Sequence, residues 1–348
     1  MFKLTQLSRS SGCGCKISPD KLESILQRSP TPAREFPNLL VGNESRDDAA
    51  VLQFENGNAM VSTVDFFTPV SDDPYEFGEI AAANSLSDVY AMGASPLMAL
   101  AILGWNSEKI QPEVIRFIMM GAEAKCNEAG IPLAGGHSID SMELFFGLAV
   151  TGTAPASNIK KNSTAKNGDI LFITKPLGSG IISAAAKRDE VIKEDYFRMI
   201  TVMKQLNSIG SALGKMIDVH ALTDITGFGL LGHLAEMCRG SNCSAEIYFN
   251  RIPLIADLSF YTQKLIYPDM TMKVFASLSR ELSELSPAQI FTLCDPQTNG
   301  GLLISVSERA EKEIIRMMAD YKIEQQCLVP IGKLIPRGKM LIQVLQES

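Results

Sequence analysis

The sequence predicts an α/β (α+β) protein of two domains that follow a flexible N-terminal arm. The chain has 348 residues, and a single domain usually takes roughly 100–200. Segments with strand and helix patterns alternate from residue 48 onward, and a polar, turn-rich stretch at 155–169 interrupts them. We therefore predict an arm over residues 1–45, a first domain over 46–156 and a second domain over 157–348.

The composition excludes several classes of protein. With 32 basic and 39 acidic residues, the net charge is −7. This balance argues against general binding to nucleic acid or to an anionic membrane, because both need a cationic face. No apolar run approaches the ~18–20 residues that span a bilayer, and the start lacks the apolar core of a secretory signal. We therefore expect a cytoplasmic protein.

The seven cysteines are an odd number spread over a long chain. In a reducing compartment they should be thiols and not a disulfide framework. Cys126, Cys238 and Cys294 have apolar neighbours in the sequence, and we expect them to be small core residues.

The arm contains the motif SSGCGCK, in which Cys13 and Cys15 flank one glycine and Lys16 follows. A short helix is predicted over residues 17–27, and the proline-rich stretch 28–37 cannot continue it. The cysteines thus precede the packed body of the protein on a tether.

In the first domain, strands and helices are recognised by apolar periodicity and by their flanking glycine and proline residues. The strand at 97–104 is continuously apolar, so we expect it to be buried. The predicted strands are 49–54, 59–67, 97–104, 131–136 and 144–154, and the predicted helices are 72–94 and 112–130.

The second domain repeats the mixture. An amphipathic helix is predicted over about 195–216, with Ile200, Met203, Leu206, Ile209 and Leu213 on its apolar face. The other predicted elements are a strand at 169–180 that runs into glycines, helices at 229–238 and 308–321, and a strand at 300–306.

Acidic side chains occur at positions where burial would be costly unless a partner is present. Mg²⁺ is a common partner, because it takes one or more carboxylates together with phosphate oxygens and water. The alternative is a capping or turn role for Asp47 and Asp224, and a salt bridge for Asp88. The residues are Asp47 and Asp48 before a strand, Asp65 within a strand, Asn84 and Asp88 four residues apart on a helix, and Asp224 before a glycine-rich helix.

Glycines also mark a candidate anion site. In LAGGHSID a predicted strand ends at two glycines and is followed by His137 and Ser138. Backbone N–H groups at such a turn can approach a phosphate closely. The motif matches neither the P-loop nor the GxGxxG fingerprint, and a plain turn is the alternative.

The Cys–Gly–Cys–Lys segment is open to several interpretations. It could be half of a soft-metal site, but no second pair at zinc-finger spacing exists. Lys16 would favour the thiolate of Cys13, which could carry a soft nucleophile such as sulfide or selenide. An accidental pair in a disordered tail is the third interpretation.

The chain contains, in this order, SGCGCK, NESRDDAAV, NSLSDVYAMGA, LAGGHSID, TDITGFGLLGHLAEM and CDPQTNGGLL. Together these motifs closely resemble those of selenophosphate synthetase, the selenide, water dikinase family. The resemblance runs over nearly the whole chain, and the Cys–Gly–Cys–Lys arm is specific to that enzyme within its superfamily.

The resemblance implies a two-domain fold shared with aminoimidazole ribonucleotide synthetase. It also implies an N-terminal domain that binds ATP and Mg²⁺ and forms a homodimer. The family reaction converts ATP, hydrogen selenide and water into selenophosphate, AMP and orthophosphate.

The same resemblance assigns roles to individual residues. Cys13 and Lys16 would be catalytic, and Lys16 would contact the ATP phosphates. The carboxylates of Asp48, Asp88 and Asp224 would hold Mg²⁺. The nucleotide site would be completed by Ser45, Arg46, Asp47, Asp65, Asp88, Gly136, His137 and Ser138.

Two other members of the superfamily are the nearest alternatives. The hydrogenase-maturation dehydratase ends in a cysteine, whereas this chain ends LIQVLQES. Thiamine-phosphate kinase would not explain the Cys–Lys arm. A non-catalytic carrier that uses only Cys13 and Cys15 would leave the aspartate motifs without a role.

One departure from the family pattern is Asn299, where serine is expected.

Overall fold

The computed structural model describes residues 3–7, 12, 25, 36–42 and 46–346. Within these residues the chain forms two six-stranded sheets with helices packed against them. The predicted α/β fold is therefore confirmed. The helix predicted over 17–27 lies outside the described residues, except for Ile25.

The N-terminal sheet has the strand order β1-β2-β3-β6-β4-β5. Neighbouring strands are antiparallel, except for the parallel pair β4 and β5. Two helices lie against one face of this sheet. The elements are β1 (Leu39–Val41), β2 (Ala50–Gln53), β3 (Asn58–Phe67), α1 (Pro74–Ala91), β4 (Ser95–Trp105), α2 (Pro112–Glu128), β5 (Leu133–Asp140) and β6 (Phe145–Pro155).

The two helices pack closely because glycines lie at their contact. A Cβ atom on Gly78 would stand 1.9 Å from the carbonyl oxygen of Ile118, and one on Gly121 would stand 2.0 Å from that of Tyr75. Neither helix could therefore carry a larger residue at these positions. Asp73 caps α1 by accepting hydrogen bonds from the backbone N–H groups of residues 75 and 76.

Strand β4 differs from the prediction that it is buried. Its alternate residues face the helices, but Met98 and Leu100 are exposed on the other face. Among the residues that the structure describes, no helix covers that second face, so the apolar side chains of β4 there are exposed. We define the open face by Val64, Phe66, Met98, Leu100 and Ile139, all of them exposed.

The C-terminal sheet has the strand order β12-β9-β11-β7-β10-β8. Its elements are β7 (Asp169–Ile173), α3 (Ser179–Lys187), α4 (Lys193–Lys204), α5 (Ile209–Leu213), β8 (Val219–Asp224), α6 (Gly229–Gly240), β9 (Cys243–Tyr248), α7 (Ser259–Thr262), α8 (Asp269–Leu278), α9 (Pro287–Leu293), β10 (Leu302–Ser307), α10 (Glu311–Asp320), β11 (Gly332–Pro336) and β12 (Ile342–Leu345).

This second sheet is buried on both faces. Along β10, Leu303 belongs to one apolar core, whereas Leu302 and Ile304 belong to another. Successive strand residues point to opposite faces, so each face packs against its own layer. Helices α3, α4 and α7 contribute Ile181, Met199 and Tyr261 to the core of the first sheet. The two halves therefore share a core, and the domain limits given above stay a prediction.

The prediction of a single helix over 195–216 is wrong. The structure has two helices, α4 and α5, because the backbone at Gln205 is extended and ends the first of them. The side-chain amide of Asn299 donates to the carbonyl oxygens of Met203 (2.5 Å) and Gln205 (2.8 Å), and Lys175 Nζ also donates to Gln205 O (2.8 Å). These contacts satisfy two carbonyl oxygens at the end of α4, those of Met203 and Gln205.

Five cysteines fall in the part of the chain that the structure describes, and all five are free and buried, including Cys126, Cys238 and Cys294 as predicted. Among the same residues, no helix combines the length and the apolar character needed to cross a membrane.

Candidate functional site

Three of the predicted aspartates meet at the junction of the two halves. Asp48 precedes β2, Asp88 lies near the end of α1, and Asp224 is the last residue of β8. Burial raises the pKa of Asp48 well above its usual range, and the nearby charges of Asp224 and Asp88 raise it further. These carboxylates are therefore close enough to repel one another unless a cation is present.

A hydroxyl group donates a hydrogen bond to each of these carboxylates. Thr63 Oγ1 lies 2.5 Å from Asp88 Oδ2, and Ser87 Oγ lies 2.5 Å from Asp224 Oδ2. Thr223 Oγ1 lies 2.9 Å from Asp48 Oδ1. The last two bonds connect the N-terminal half of the chain to the C-terminal half.

One oxygen of these carboxylates, Asp48 Oδ2, is suited to binding Mg²⁺. Asp48 Oδ2 is buried and has no hydrogen-bond partner in the described part of the chain, and such an oxygen is an available ligand for a hard cation. The described residues contain no group of three or more His, Cys, Asp or Glu side chains that could hold a metal ion by themselves. Phosphate oxygens and water would have to supply the remaining ligands.

Asp65 is tied to the same junction through α1. Asn84 Nδ2 donates to Asp65 Oδ2 (2.7 Å), and Asn84 Oδ1 accepts from the backbone N–H of Asn299 (2.8 Å). The pair Asn84 and Asp88, predicted to share a helix face, thus faces two partners, β3 and the loop before β10.

Arg46 and Asp47 lie beside a short helical turn, Asn162–Thr164. The backbone N–H of Asn162 donates to Asp47 Oδ1 (2.7 Å), and its side-chain amide donates to the carbonyl oxygen of Arg46 (3.0 Å). Arg46 has a φ of 55° and lies 3.8 Å from a carboxylate oxygen of Glu236. Through its hydrogen bond with Asn162, Asp47 therefore links the two halves of the chain, in addition to any role towards a nucleotide.

The structure places Gly136, His137 and Ser138 elsewhere. The prediction that this strand ends at the two glycines is wrong. The strand continues to Asp140 and forms the exposed edge strand β5. Gly136 is required by packing, because a Cβ there would stand 2.1 Å from the carbonyl oxygen of Ala101. Strand β5 lies three strand spacings, roughly 14 Å, from β3. Within one chain these residues are not brought to the aspartates.

Of the predicted site residues, Cys13, Lys16 and Ser45 lie outside the described residues, as does Cys15. Gly12, directly before Cys13, is described. Its backbone N–H donates to the carbonyl oxygen of Thr68 (3.1 Å), and a Cβ on it would stand 2.3 Å from Thr298 Oγ1. The residue before Cys13 therefore contacts both halves of the protein at their junction.

Sequence reasoning missed several residues of the junction. Lys175 is fully buried, its Nζ donates to the carbonyl oxygens of Gln205 and Asn299 (2.8 Å each), and burial lowers its pKa to about 7. Asn207 Nδ2 donates to Ser87 Oγ (2.8 Å). A lysine two residues after an apolar strand was the available signal for Lys175. Asn299, noted only as a departure from serine, has a φ of 48° and donates two bonds through its amide.

Comparison with known proteins shows what the chain is similar to. The AIR synthase related protein N-terminal domain matches residues 46–154, and the corresponding C-terminal domain matches 166–344. Selenide, water dikinase of Aeromonas hydrophila is 47% identical over 346 residues, which cover 99% of each chain. The enzyme of the same name from Pseudomonas putida is 47% identical over 344 residues, again 99% of each. The chain belongs to the selenide, water dikinase family.

Solved structures share the fold of this selenide, water dikinase family member at lower identity. Thiamine-monophosphate kinase from Stenotrophomonas maltophilia has a TM-score of 0.66 and 19% identity, covering 94% of this chain and 96% of that one. Hydrogenase maturation protein HypE has a TM-score of 0.58 and 17% identity, covering 87% and 86%. At these identities the likeness concerns the fold alone.

Proposed function

We propose that this protein makes selenophosphate from hydrogen selenide, ATP and water, and that it releases AMP and orthophosphate. The observation that carries the proposal is the meeting of Asp48, Asp88 and Asp224, which come from both halves of a dikinase-family chain. Phosphoryl transfer depends on positioning and on neutralising phosphate charge more than on covalent chemistry. A buried group of carboxylates suits that task.

Asp48, Asp88 and Asp224 would hold Mg²⁺. When bound, these ions would neutralise the triphosphate and the carboxylates together. The carboxylates stand in a partly buried junction where hydroxyl groups already orient them. Less reorganisation is then needed when the nucleotide arrives.

ATP would lie against the loop before β2 and against β3, where we assign contacts to Ser45, Arg46, Asp47 and Asp65. Asp88 would serve both the metal and the nucleotide, and Lys16 would contact the phosphates. Asp65 is supported by its fixed orientation towards Asn84. Asp47 already accepts a backbone hydrogen bond, so it would act mainly by shaping the loop.

In this proposal Cys13 binds the selenium of the substrate, and Lys16 attracts the phosphates of ATP. Support comes from Gly12, which is held between Thr68 and Thr298 at the edge of the junction. Bringing selenide and ATP together in this way would supply the proximity that the reaction needs.

We also propose a homodimer that forms through the first domain, predicted over 46–156. The open face is apolar and exposed, with exposed fractions of 55% for Val64, 47% for Phe66 and 51% for Ile139. Contiguous apolar patches of this kind mark interaction sites. His137 pairs in register with Ile102 next to this face, so a second copy packed here would enclose Gly136, His137 and Ser138. We also propose a cytoplasmic location, and the free thiols of the five described cysteines support it.

The proposal is tested by anaerobic incubation with ATP and Mg²⁺, with and without selenide, followed by ³¹P NMR. The wild type should form AMP and a selenophosphate signal only when selenide is present, and Cys13→Ser should lose both. Cys15→Ser, two residues away, tests whether the loss belongs to Cys13 or to any arm thiol. ATP turnover that is indifferent to selenide and to Cys13 would overturn the proposed substrate.

A further inference from the structure

Each of the three metal-site aspartates has its own hydroxyl donor, and the three donors come from three different elements. Thr63 lies on β3, Ser87 on α1 and Thr223 on β8. We propose that Thr63, Ser87 and Thr223 are positioning residues that orient the carboxylates of Asp88, Asp224 and Asp48 towards Mg²⁺. This inference rests on the metal role assigned to the aspartates in the proposed function.

The hydrogen bond at Asp48 shows how one hydroxyl can orient a carboxylate. Thr223 donates to Oδ1, and Oδ2 is buried and has no partner in the part of the chain that the structure describes. A hydroxyl has one proton, so it holds one oxygen and fixes the rotation of the carboxylate. The second oxygen is then kept for another ligand. Buried acceptors are normally satisfied, so this one requires a partner.

The proton of Ser87 has its direction set by a neighbour. Asn207 Nδ2 donates to Ser87 Oγ (2.8 Å) and also to the carbonyl oxygen of Gly300 (2.8 Å). Because Ser87 Oγ accepts from Asn207, its own proton is directed to Asp224 Oδ2, 2.5 Å away. Ser87 is completely buried, so water does not compete for this bond.

Distances also decide where the two threonines donate. Thr63 Oγ1 is 2.5 Å from Asp88 Oδ2 but 3.4 Å from the carbonyl oxygen of Asp48. Thr223 Oγ1 is 2.9 Å from Asp48 Oδ1 but 3.4 Å from the carbonyl oxygen of Asp224. In both cases the carboxylate is the nearer acceptor, and charge strengthens that bond further.

Outer hydroxyl groups of this kind tune metal affinity in general, and their loss typically costs about 10–100-fold. The test uses Thr63→Val, Thr223→Val and Ser87→Ala in the full-length protein. Mg²⁺ is titrated by calorimetry in the presence of a non-hydrolysable ATP analogue with a methylene bridge between the β and γ phosphates. We expect the dissociation constant for Mg²⁺ to rise about tenfold or more in each variant.

Two sets of controls separate positioning from general damage. Thr63→Ser and Thr223→Ser keep the hydroxyl, and they should restore Mg²⁺ affinity to within about threefold of wild type. Ser305→Ala removes another fully buried hydroxyl that donates to an aspartate, Asp169 Oδ2 at 2.7 Å, within the C-terminal sheet. It should leave Mg²⁺ affinity unchanged.

The outcomes distinguish this inference from the function on which it rests. If Asp48→Asn abolishes Mg²⁺ binding but the three hydroxyl variants bind like wild type, the positioning role is overturned and the metal site stands. If the wild type itself binds no Mg²⁺ with the analogue, the proposed metal role fails and the inference fails with it. Should Ser87→Ala not fold, the valine and serine pairs at residues 63 and 223 decide the question.

Discussion

The two sheets have the same number of strands but differ in how many of their faces are covered. On β3 of the first sheet, Val64 and Phe66 are about half exposed, whereas Leu302, Leu303 and Ile304 on β10 of the second are completely buried. The described residues of one chain therefore cover both faces of the second sheet. The first sheet has an apolar face that the described part of the chain leaves exposed, and this difference locates the proposed contact between copies.

The largest expected effect separates a covered face from the open face. Leu303→Asp places a carboxylate in a core without a partner, and we expect it to lower the free energy of unfolding by about 4 kcal/mol or more. Phe66→Asp places the same group on the open face and should cost a single chain much less. Urea unfolding at low protein concentration, where dimers dissociate, measures both. Equal losses would show that the two faces do not differ.

The next effect concerns the contact between copies. Phe66→Asp should convert a dimer into a monomer at micromolar concentration, because the second copy would bury an unpaired charge. Sedimentation velocity gives the result directly. Phe197→Asp on α4 is the matched control, since Phe197 is similarly exposed at 55% but lies outside the open face. A wild type that stays monomeric, or a control that also dissociates, would contradict the proposed surface.

A smaller effect is expected where the arm meets both halves. Gly12→Ala would bring a methyl group against Thr298 Oγ1 at a residue with a φ of 55°, and misplacing a reacting group commonly costs roughly tenfold or more in rate. Selenophosphate formation should therefore fall about tenfold. Stability should change little.

Gly57→Ala is its control, because Gly57 has a φ of 84° but open space around it. It introduces the backbone strain without the contact, so its rate should stay near wild type. The double variant Gly12→Ala, Thr298→Ala removes the contact and should recover part of the lost rate. If Gly12→Ala and Gly57→Ala lower the rate equally, the position of Gly12 against Thr298 does not matter for the reaction.

The smallest effect is a pH dependence at Lys175. Burial lowers its pKa to about 7 from 10.5, so between these values the unfolded chain binds a proton that the folded chain does not. The free energy of unfolding should rise with pH across this window, because folding must release that proton and the release costs less free energy at higher pH. Lys175→Met should lack this rise. Urea unfolding of both proteins at pH 7 and pH 9, with a chelator present, tests the difference. An equal change in the free energy of unfolding of the two proteins between these pH values would contradict the prediction.

Much of the fold and part of the site followed from local patterns. The helix predicted over 112–130 is present as Pro112–Glu128, and Gly130 follows it with a φ of 74°. The aspartates were found because carboxylates on apolar elements are unusual. The helix over 195–216 was wrong, because its break depends on Lys175 and Asn299, which lie far away in the sequence. The edge strand β5 was shortened in the prediction, because glycine usually signals a turn.

The sequence by itself determined much of the alternation of strands and helices, some helix ends such as those of α2, and the residue types of the candidate site. These are properties of a few neighbouring residues, and short-range periodicity and capping report them. Only the tertiary structure decided which carboxylate meets which hydroxyl. Ser87 and Asp224 are 137 positions apart, and Asp48 and Thr223 are 175 apart. Contacts at such separations form only when both sheets pack against α1, so no local pattern encodes them.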